Sequence, residues 1–306
     1  MLTYNDLEYQ RSTPCVVALG CFDGVHKAHT KVIEKAVEIA RSYSLPSLVW
    51  SFSEPPRKFC EARSVPVLTD SVEKERLISL LGADILVSVE FDERIASVSA
   101  EEFFFDHLIS RLHATHIVCG YNFTFGAGGK GNTALLERLC KENGIGFTAI
   151  ESVEIDKIAV SSSEIRKLLS LGETEKAKEL LGRYYSINAV VSHGKQLGRT
   201  LGFPTINQKL GDLSPLAFGV YFTRVSLDNK RYFGITNVGT RPTVNGNGVV
   251  AETNIFDFTD NVYGKTAKVE FLRFLRPETK FDSTEALAAQ VELDISVAKA
   301  MADNYK

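Results

Sequence analysis

Gly20-Cys21-Phe22-Asp23-Gly24-Val25-His26-Lys27-Ala28-His29 joins a short apolar run, Cys15-Val16-Val17-Ala18-Leu19, to a segment in which Val32, Ile33, Ala36, Val37, Ile39 and Ala40 recur at helical spacing. The run is β-branched and lacks polar alternation, so it reads as a buried parallel strand. Thr30 to Tyr43 reads as a helix, which makes the quoted stretch a strand-to-helix turn. Two histidines three residues apart in a helix's first turn project to the same side, beside backbone N–H groups that have no intrahelical partner. With two glycines and an Asp at a strand's carboxyl end, this is a place for a phosphate. A tight turn carrying two solvated imidazoles is the plainer alternative.

The pattern repeats outward. Pro46 to Phe52, Ile85 to Val89, His116 to Gly120 and Phe147 to Ile155 read as strands, and Ser71 to Leu81, Ala100 to Leu112 and Thr133 to Lys141 as helices. Such alternation predicts an α/β unit, a parallel sheet covered on both faces with ligands at the carboxyl ends of its strands. Phe103, Phe104, Phe105, Leu108 and Ile109 form a stripe expected in the core, and His107, His113 and His116 are expected to be structural. The glycine-rich run from Tyr121 to Asn132 reads either as a connection or as a place where backbone approaches phosphate.

After a helix over Glu173 to Leu181 the pattern changes at Gly182 to Ser186. Ile187 to Ser192, Gly219 to Leu227, Tyr232 to Val238, Glu252 to Phe258 and Lys265 to Leu275 read as short strands, with Asp228-Asn229 as a hairpin turn. These predict a small antiparallel β-barrel. Leu287, Val291, Ile295 and Ala298 then place a helix over Ser283 to Asp303. The domains are read as 1–184 and 185–306.

With 306 residues the chain can bury two cores, and 44% hydrophobic and 24% charged residues suit a globular protein. A net charge of -3 offers no footprint for nucleic acid or anionic membrane. The five cysteines lie in the first half without Cys-x-x-Cys spacing, so neither a disulfide framework nor a zinc site is expected. The N-terminus lacks a basic start and an apolar core, and no run is long enough to span a bilayer, so a cytoplasmic location is expected.

The opening stretch resembles the Gly-x-Phe-Asp-Gly-x-His-x-Gly-His signature of the nucleotidyltransferase superfamily, in the form carried by the prokaryotic bifunctional riboflavin kinase/FMN adenylyltransferases. Further segments match in order: Asn122-Phe123-Thr124-Phe125-Gly126, Ser161-Ser162-Ser163-Glu164-Ile165-Arg166, His193 to Asn207 with Gly202-Phe203-Pro204-Thr205-Ile206-Asn207, Gly219-Val220-Tyr221, Gly239-Thr240-Arg241-Pro242-Thr243 and Arg276 to Phe281. The resemblance implies a Rossmann-like nucleotidyltransferase domain followed by a β-barrel riboflavin kinase domain with a C-terminal helix. For adenylylation of FMN it further implies ATP contacts at Gly20, Phe22, Asp23, Gly24, Ser161, Ser162 and Ser163, and His26, His29 and Arg166 as catalytic groups that hold and neutralise the triphosphate. For phosphorylation of riboflavin it implies Glu252 as the catalytic base, Gly194, Arg199, Gly202, Thr205 and Asn207 around ATP, and Mg²⁺ at Thr205 and Asn207. Flavin is placed by Asn122, Phe123 and Arg241. The implied substrates are riboflavin, FMN and ATP; apart from the resemblance, no nucleic-acid or membrane partner and a monomeric state are expected.

The chain departs from the family pattern at Ala28, which stands for Gly, at the loop Phe52 to Arg57, and at Thr124, Ala127 and Gly129, where basic residues are usual. These departures define an alternative, a working kinase with a weak or silent adenylyltransferase. A third reading is a flavin- or nucleotide-binding regulator without turnover, against which stands the retention of Glu252, Thr205, Asn207, His26, His29 and Arg166. Asp257, an odd number of residues from Glu252, is expected on the opposite face of the strand.

Overall fold

The computed structural model describes residues 1–56, 65–193, 202–210, 214–243 and 246–305, with backbone alone at 241–243, 246 and 247. The chain forms two compact units, Met1–Ser162 and Ser163–Lys306.

In the first unit β1 (Leu2–Tyr4), β2 (Cys15–Leu19), β3 (Ser47–Phe52), β4 (Ile85–Val89), β5 (Ala114–Gly120) and β6 (Gly146–Ile150) form a parallel sheet in the order β1-β4-β3-β2-β5-β6. The chain winds outward from β2 through β3 to β4, then returns to the other side of β2 for β5, so the carboxyl end of β2 lies at the switch point where such sheets take ligands. Cys15, Val17 and Leu19 enter one apolar layer with Trp50, Phe103, Phe104 and Leu136, while Val16 and Ala18 enter another with Ile33, Ala36 and Val118. Burial on both faces explains why β2 shows no alternation. Helices α1 (Lys27–Ser42), α2 (Ser71–Leu80) and α3 (Thr133–Glu142) belong to this unit.

Several local expectations need correction. α1 begins at Lys27, within the quoted stretch, because His26 caps it. β1 was not anticipated; it is three residues long and pairs with β4. The stripe is core at Phe103, Phe104 and Leu108, but Phe105 is 42% exposed. Three consecutive residues of a helix cannot all face one way, and here the helix continues as a π-helix over Phe103–Arg111. The run from Phe147 ends as a sheet strand at Ile150, and Glu154–Ile155 pairs with Ile158–Ala159 around Asp156 and Lys157, both at positive φ.

The second unit opens with α4 (Ser162–Ser170, its first residue in the other unit) and α5 (Thr174–Leu181). Strands β7 (Ser186–Val190), β8 (Ile206–Lys209), β9 (Gly219–Leu227), β10 (Lys230–Thr243), β11 (Gly246–Ile255) and β12 (Thr266–Pro277) then pair antiparallel in the order β7-β12-β9-β10-β11-β8. The sheet curls into a nearly closed barrel. Among the described residues one bridge, Ser192 to Asn207, joins its two edges, and the Gln208 amide donates to the Ala189 carbonyl at 2.7 Å and the Ala267 carbonyl at 2.8 Å. Asp228 and Asn229, at φ 49° and 61°, make the two-residue turn expected between β9 and β10. Helix α6 (Thr284–Ala302) lays Val291, Ile295 and Ala298 on Val220, Phe222 and Leu272.

The compact units part earlier than the boundary read at Tyr184. Residues 163–184 go with the barrel because the Leu169 carbonyl accepts from Ala217 N–H at 3.0 Å and the Thr174 hydroxyl donates to the Leu272 carbonyl at 3.2 Å. Gly172, at φ 77°, sits where a Cβ would lie 2.8 Å from the Phe274 ring.

Candidate active sites

The turn after β2 is strained main chain. Phe22, Gly24 and Val25 have φ of 49°, 84° and 36°, and a β-branched residue at positive φ persists only where surrounding structure holds it. Phe22 is buried with its ring over Gly20, where any Cβ would meet it at 2.7 Å. The Asp23 carboxylate is also buried and accepts from the amides of Leu68 at 2.9 Å and Thr69 at 3.3 Å. Gly24 N–H donates to the Thr69 hydroxyl, and Ser162 donates its hydroxyl to the Asp23 carbonyl at 2.9 Å. Asp23 and Ser162 thus brace the turn.

His26 is the N-cap of α1, its Nδ1 accepting from His29 N–H at 3.3 Å, which leaves the ring proton on Nε2. The two imidazoles stack with centroids 3.5 Å apart, and the Phe22 ring meets His29 edge-on at 5.3 Å. Both expected histidines therefore come together at the N-terminal, electropositive end of a sixteen-residue helix. Ala28 is the second residue of that helix, an ordinary helical position that asks for no glycine.

In the Tyr121 to Asn132 run the glycines divide by role. Gly126 and Gly131 lie against Ala100, with a Cβ at 2.6 Å and 2.9 Å respectively from its atoms, so these two serve packing. Gly128 and Gly129 are exposed at φ 63° and 64°. Asn122 is exposed and Phe123 half-buried, stacked on Phe125 at 5.8 Å. His107 stacks on Phe103, and His116 Nε2 meets the Thr148 hydroxyl at 2.9 Å, as expected of structural histidines. Ser161 lies just ahead of α4, and Ser163 and Arg166 lie in it and belong to the second unit.

In the barrel, Asn207 on β8 and Asn237 on β10 are the direct cross-strand partners of Glu252 on β11. Directly opposed residues share a sheet face, so the row Asn207–Glu252–Asn237 presents one carboxylate between two amides. The opposite face carries the buried hydroxyl ladder Thr223–Thr236–Thr253, at 2.9 Å and 2.8 Å. Asn237 was not anticipated, since its place beside Glu252 arises only from pairing of strands. Asp257 lies beyond β11, at φ 55°, and pairs with Lys299; the alternation argument therefore does not apply to it, because the strand ends at Ile255.

Asn207 is buried, its amide nitrogen 3.5 Å from both the carbonyl and hydroxyl oxygens of Thr205, and its Oδ1 meets no hydrogen-bond donor. Thr205 and Asn207 line a cavity of about 390 Å³ together with Thr253, Phe258 and Tyr263, and the Tyr263 ring stacks on His193 at 3.7 Å. Gly202 has φ 86°. Gly194, Arg199 and Arg57 lie outside the described residues, as does the side chain of Arg241.

A parallel α/β unit with paired histidines at its switch point, joined to an antiparallel barrel with a carboxylate cross-strand from a buried amide, fits a two-site enzyme of nucleotide-dependent group transfer. Residues 8–164 match the FAD synthetase family and residues 181–302 the riboflavin kinase family. Curated relatives include the bifunctional riboflavin kinase/FMN adenylyltransferases of Haemophilus influenzae, 35% identical over 94% of each chain, and of Bacillus subtilis, 36% identical over 91% of this chain and 90% of that one. A solved structure described as a macrolide-efflux protein from Streptococcus pneumoniae superposes with a TM-score of 0.85 at 31% identity, covering 97% of this chain and 98% of that one. The chain belongs to the bifunctional riboflavin kinase/FMN adenylyltransferase family.

Proposed function

We propose that this chain makes FAD from riboflavin in two steps, with the barrel phosphorylating riboflavin to FMN and the α/β unit adenylylating FMN. The observation that carries the first step is the register placing Glu252 between Asn207 and Asn237. Glu252 takes the proton from the terminal ribityl hydroxyl as its oxygen attacks the γ-phosphate of ATP, whose bond to the β,γ-bridging oxygen breaks so that ADP leaves. Asn207 and Thr205 fit a magnesium ion in donor chemistry, because the Asn207 Oδ1 is a buried hard oxygen that meets no donor and the Thr205 hydroxyl lies beside the same amide, 3.5 Å from its nitrogen. When bound, the ion neutralises charge on the ATP phosphates. Arg241, by the family pattern, holds the flavin.

In the second step an FMN phosphate oxygen attacks the α-phosphate of ATP and pyrophosphate leaves. His26, His29 and the N-terminus of α1 bind and neutralise the triphosphate, an electrostatic and positional catalysis without a side-chain nucleophile. Arg166 and Ser163 complete this grip by resemblance, and Asn122 and Phe123 hold the isoalloxazine. The functional domains run 1–184 and 185–306, the enzyme works as a cytoplasmic monomer, and its partners are small molecules alone.

Purified protein is incubated with riboflavin, ATP and Mg²⁺, then separately with FMN, ATP and Mg²⁺, and the flavins are separated over time. FMN followed by FAD is the expected result. FMN alone, with no FAD from added FMN, makes the first unit silent; no turnover at all overturns the proposal.

A further inference from the structure

Beneath the His-bearing turn lies a lysine that the mechanism does not use. Lys74, on α2, is 2% exposed, and its ammonium donates to three main-chain carbonyls, Phe52 at 2.7 Å and Cys21 and Ser53 at 3.3 Å each. Cys21 opens the turn after β2, and Phe52 and Ser53 end β3, so the carboxyl ends of two neighbouring strands converge on one cation. A second donor reaches the same carbonyl: the Ser51 hydroxyl lies 2.9 Å from Cys21 O. Burial pulls the Lys74 ammonium below its ordinary range, against the opposing pull of Asp23 and Glu54.

A methionine would fill this space without the cost of desolvating a charge. What the ammonium adds is positive charge where strand-end carbonyls collect at the edge that takes phosphate. Without it, three oxygens present their negative ends to a polyanion, and the Cys21 carbonyl keeps only the Ser51 hydroxyl as its tie to β3. We propose that Lys74 is a positioning residue for adenylyl transfer, fixing the Cys21 end of the His-bearing turn against Phe52–Ser53 and cancelling the strand-end dipoles under the ATP triphosphate. This rests on the reading of that turn as the ATP site of FMN adenylylation.

The test uses the full chain with Lys74→Met and Ser51→Ala, each assayed for FMN adenylylation and, in the same preparation, for riboflavin phosphorylation by the other unit. Lys74→Met is expected to lower adenylylation kcat/KM by about a hundredfold, the size of effect that a misplacement of about 1 Å produces. The KM for ATP should rise while the KM for FMN and the phosphorylation rate stay as in wild type. Ser51→Ala removes a donor from the Cys21 carbonyl without touching the charge, so it should lower kcat by a smaller factor and leave the KM for ATP unchanged. Unaltered adenylylation in a folded Lys74→Met chain overturns the proposal, as does a rise in both KM values together. If Lys74→Met does not fold, Ser51→Ala decides: a lowered adenylylation kcat supports the role, and an unchanged one overturns it. Absence of FAD from the wild-type chain refutes the underlying reading instead, and the two failures are thereby told apart.

Discussion

The turn after β2, the proposed adenylylation site, is main chain at positive φ through Phe22, Gly24 and Val25, whereas the row Asn207–Glu252–Asn237, the proposed kinase site, offers side chains held in place by strand register. A site of the first kind depends on conformation, so it fails when a Cβ intrudes or a brace such as Asp23 is lost. One of the second kind depends on register, which the whole barrel supplies, so each group can be removed without disturbing its neighbours. One chain thus contains both solutions, and each unit serves as the control for the other.

The largest expected effect tests the side-chain site. Glu252→Gln keeps the strand and removes the proposed base, so riboflavin phosphorylation should fall by about 10²–10⁴-fold while adenylylation of added FMN is unchanged. Equal loss of both activities would break the comparison. Next in size is Asp294→Ala. The Asp294 carboxylate accepts from Arg276 at 2.7 to 3.1 Å and from Gln290 at 2.9 Å, tying α6 to β12. Loss of one partner of a buried pair costs about 3–5 kcal/mol, so calorimetry should show the kinase unit melting at a lower temperature while the first unit is unmoved.

Gly20→Ala probes the main-chain site. A Cβ 2.7 Å from a buried ring must push Phe22 or the turn aside, at about 1–3 kcal/mol, and FAD formation should fall with FMN formation intact. Ala28→Gly should cost at most about 1 kcal/mol of helix stability and leave FAD formation unchanged, because a helical position has no need of glycine. Faster FAD formation from this variant would instead make the Ala28 methyl the cause of a weak site.

The smallest effect concerns thiols. Burial raises Cys15 to about 11 and Cys119 and Cys140 to about 12, above their ordinary 9.0. These three should resist a disulfide reagent at pH 8 in the folded chain and react on unfolding. Because the unfolded thiols lose their protons first, stability of the first unit should decline as pH rises from 9 toward 12, which denaturant titrations at several pH values can follow.

The parallel sheet and its helices were legible because apolar runs and helical periodicity are local, and the histidine pair because a motif is local; the strand order, set by pairing, was not read from the sequence. What stayed hidden was made by distance. Asp23 reads as a phosphate contact, yet its carboxylate serves the amides of Leu68 and Thr69, forty-five and forty-six residues on. The strand Ile206–Lys209 begins at the end of the motif His193 to Asn207, where no strand was expected, and Asn237 gains its meaning only from pairing. A lysine on a helix reads as solvated; the available signal for Lys74 was its spacing of four from Ile78, also buried. The boundary near Tyr184 follows a change in composition, while compactness follows Leu169 and Thr174 into the barrel unit.

The barrel's seam, held by one bridge and the Gln208 amide, has a consequence for hydrogen exchange. Amides of Ser186–Val190 and Ile206–Lys209 should exchange with deuterium well before those of Gly219–Leu227, which pair on both sides. Asn207 sits in the bridge itself, so on its proposed role as a Mg-ATP contact added Mg-ATP should slow exchange along this edge and report nucleotide occupancy without any flavin present.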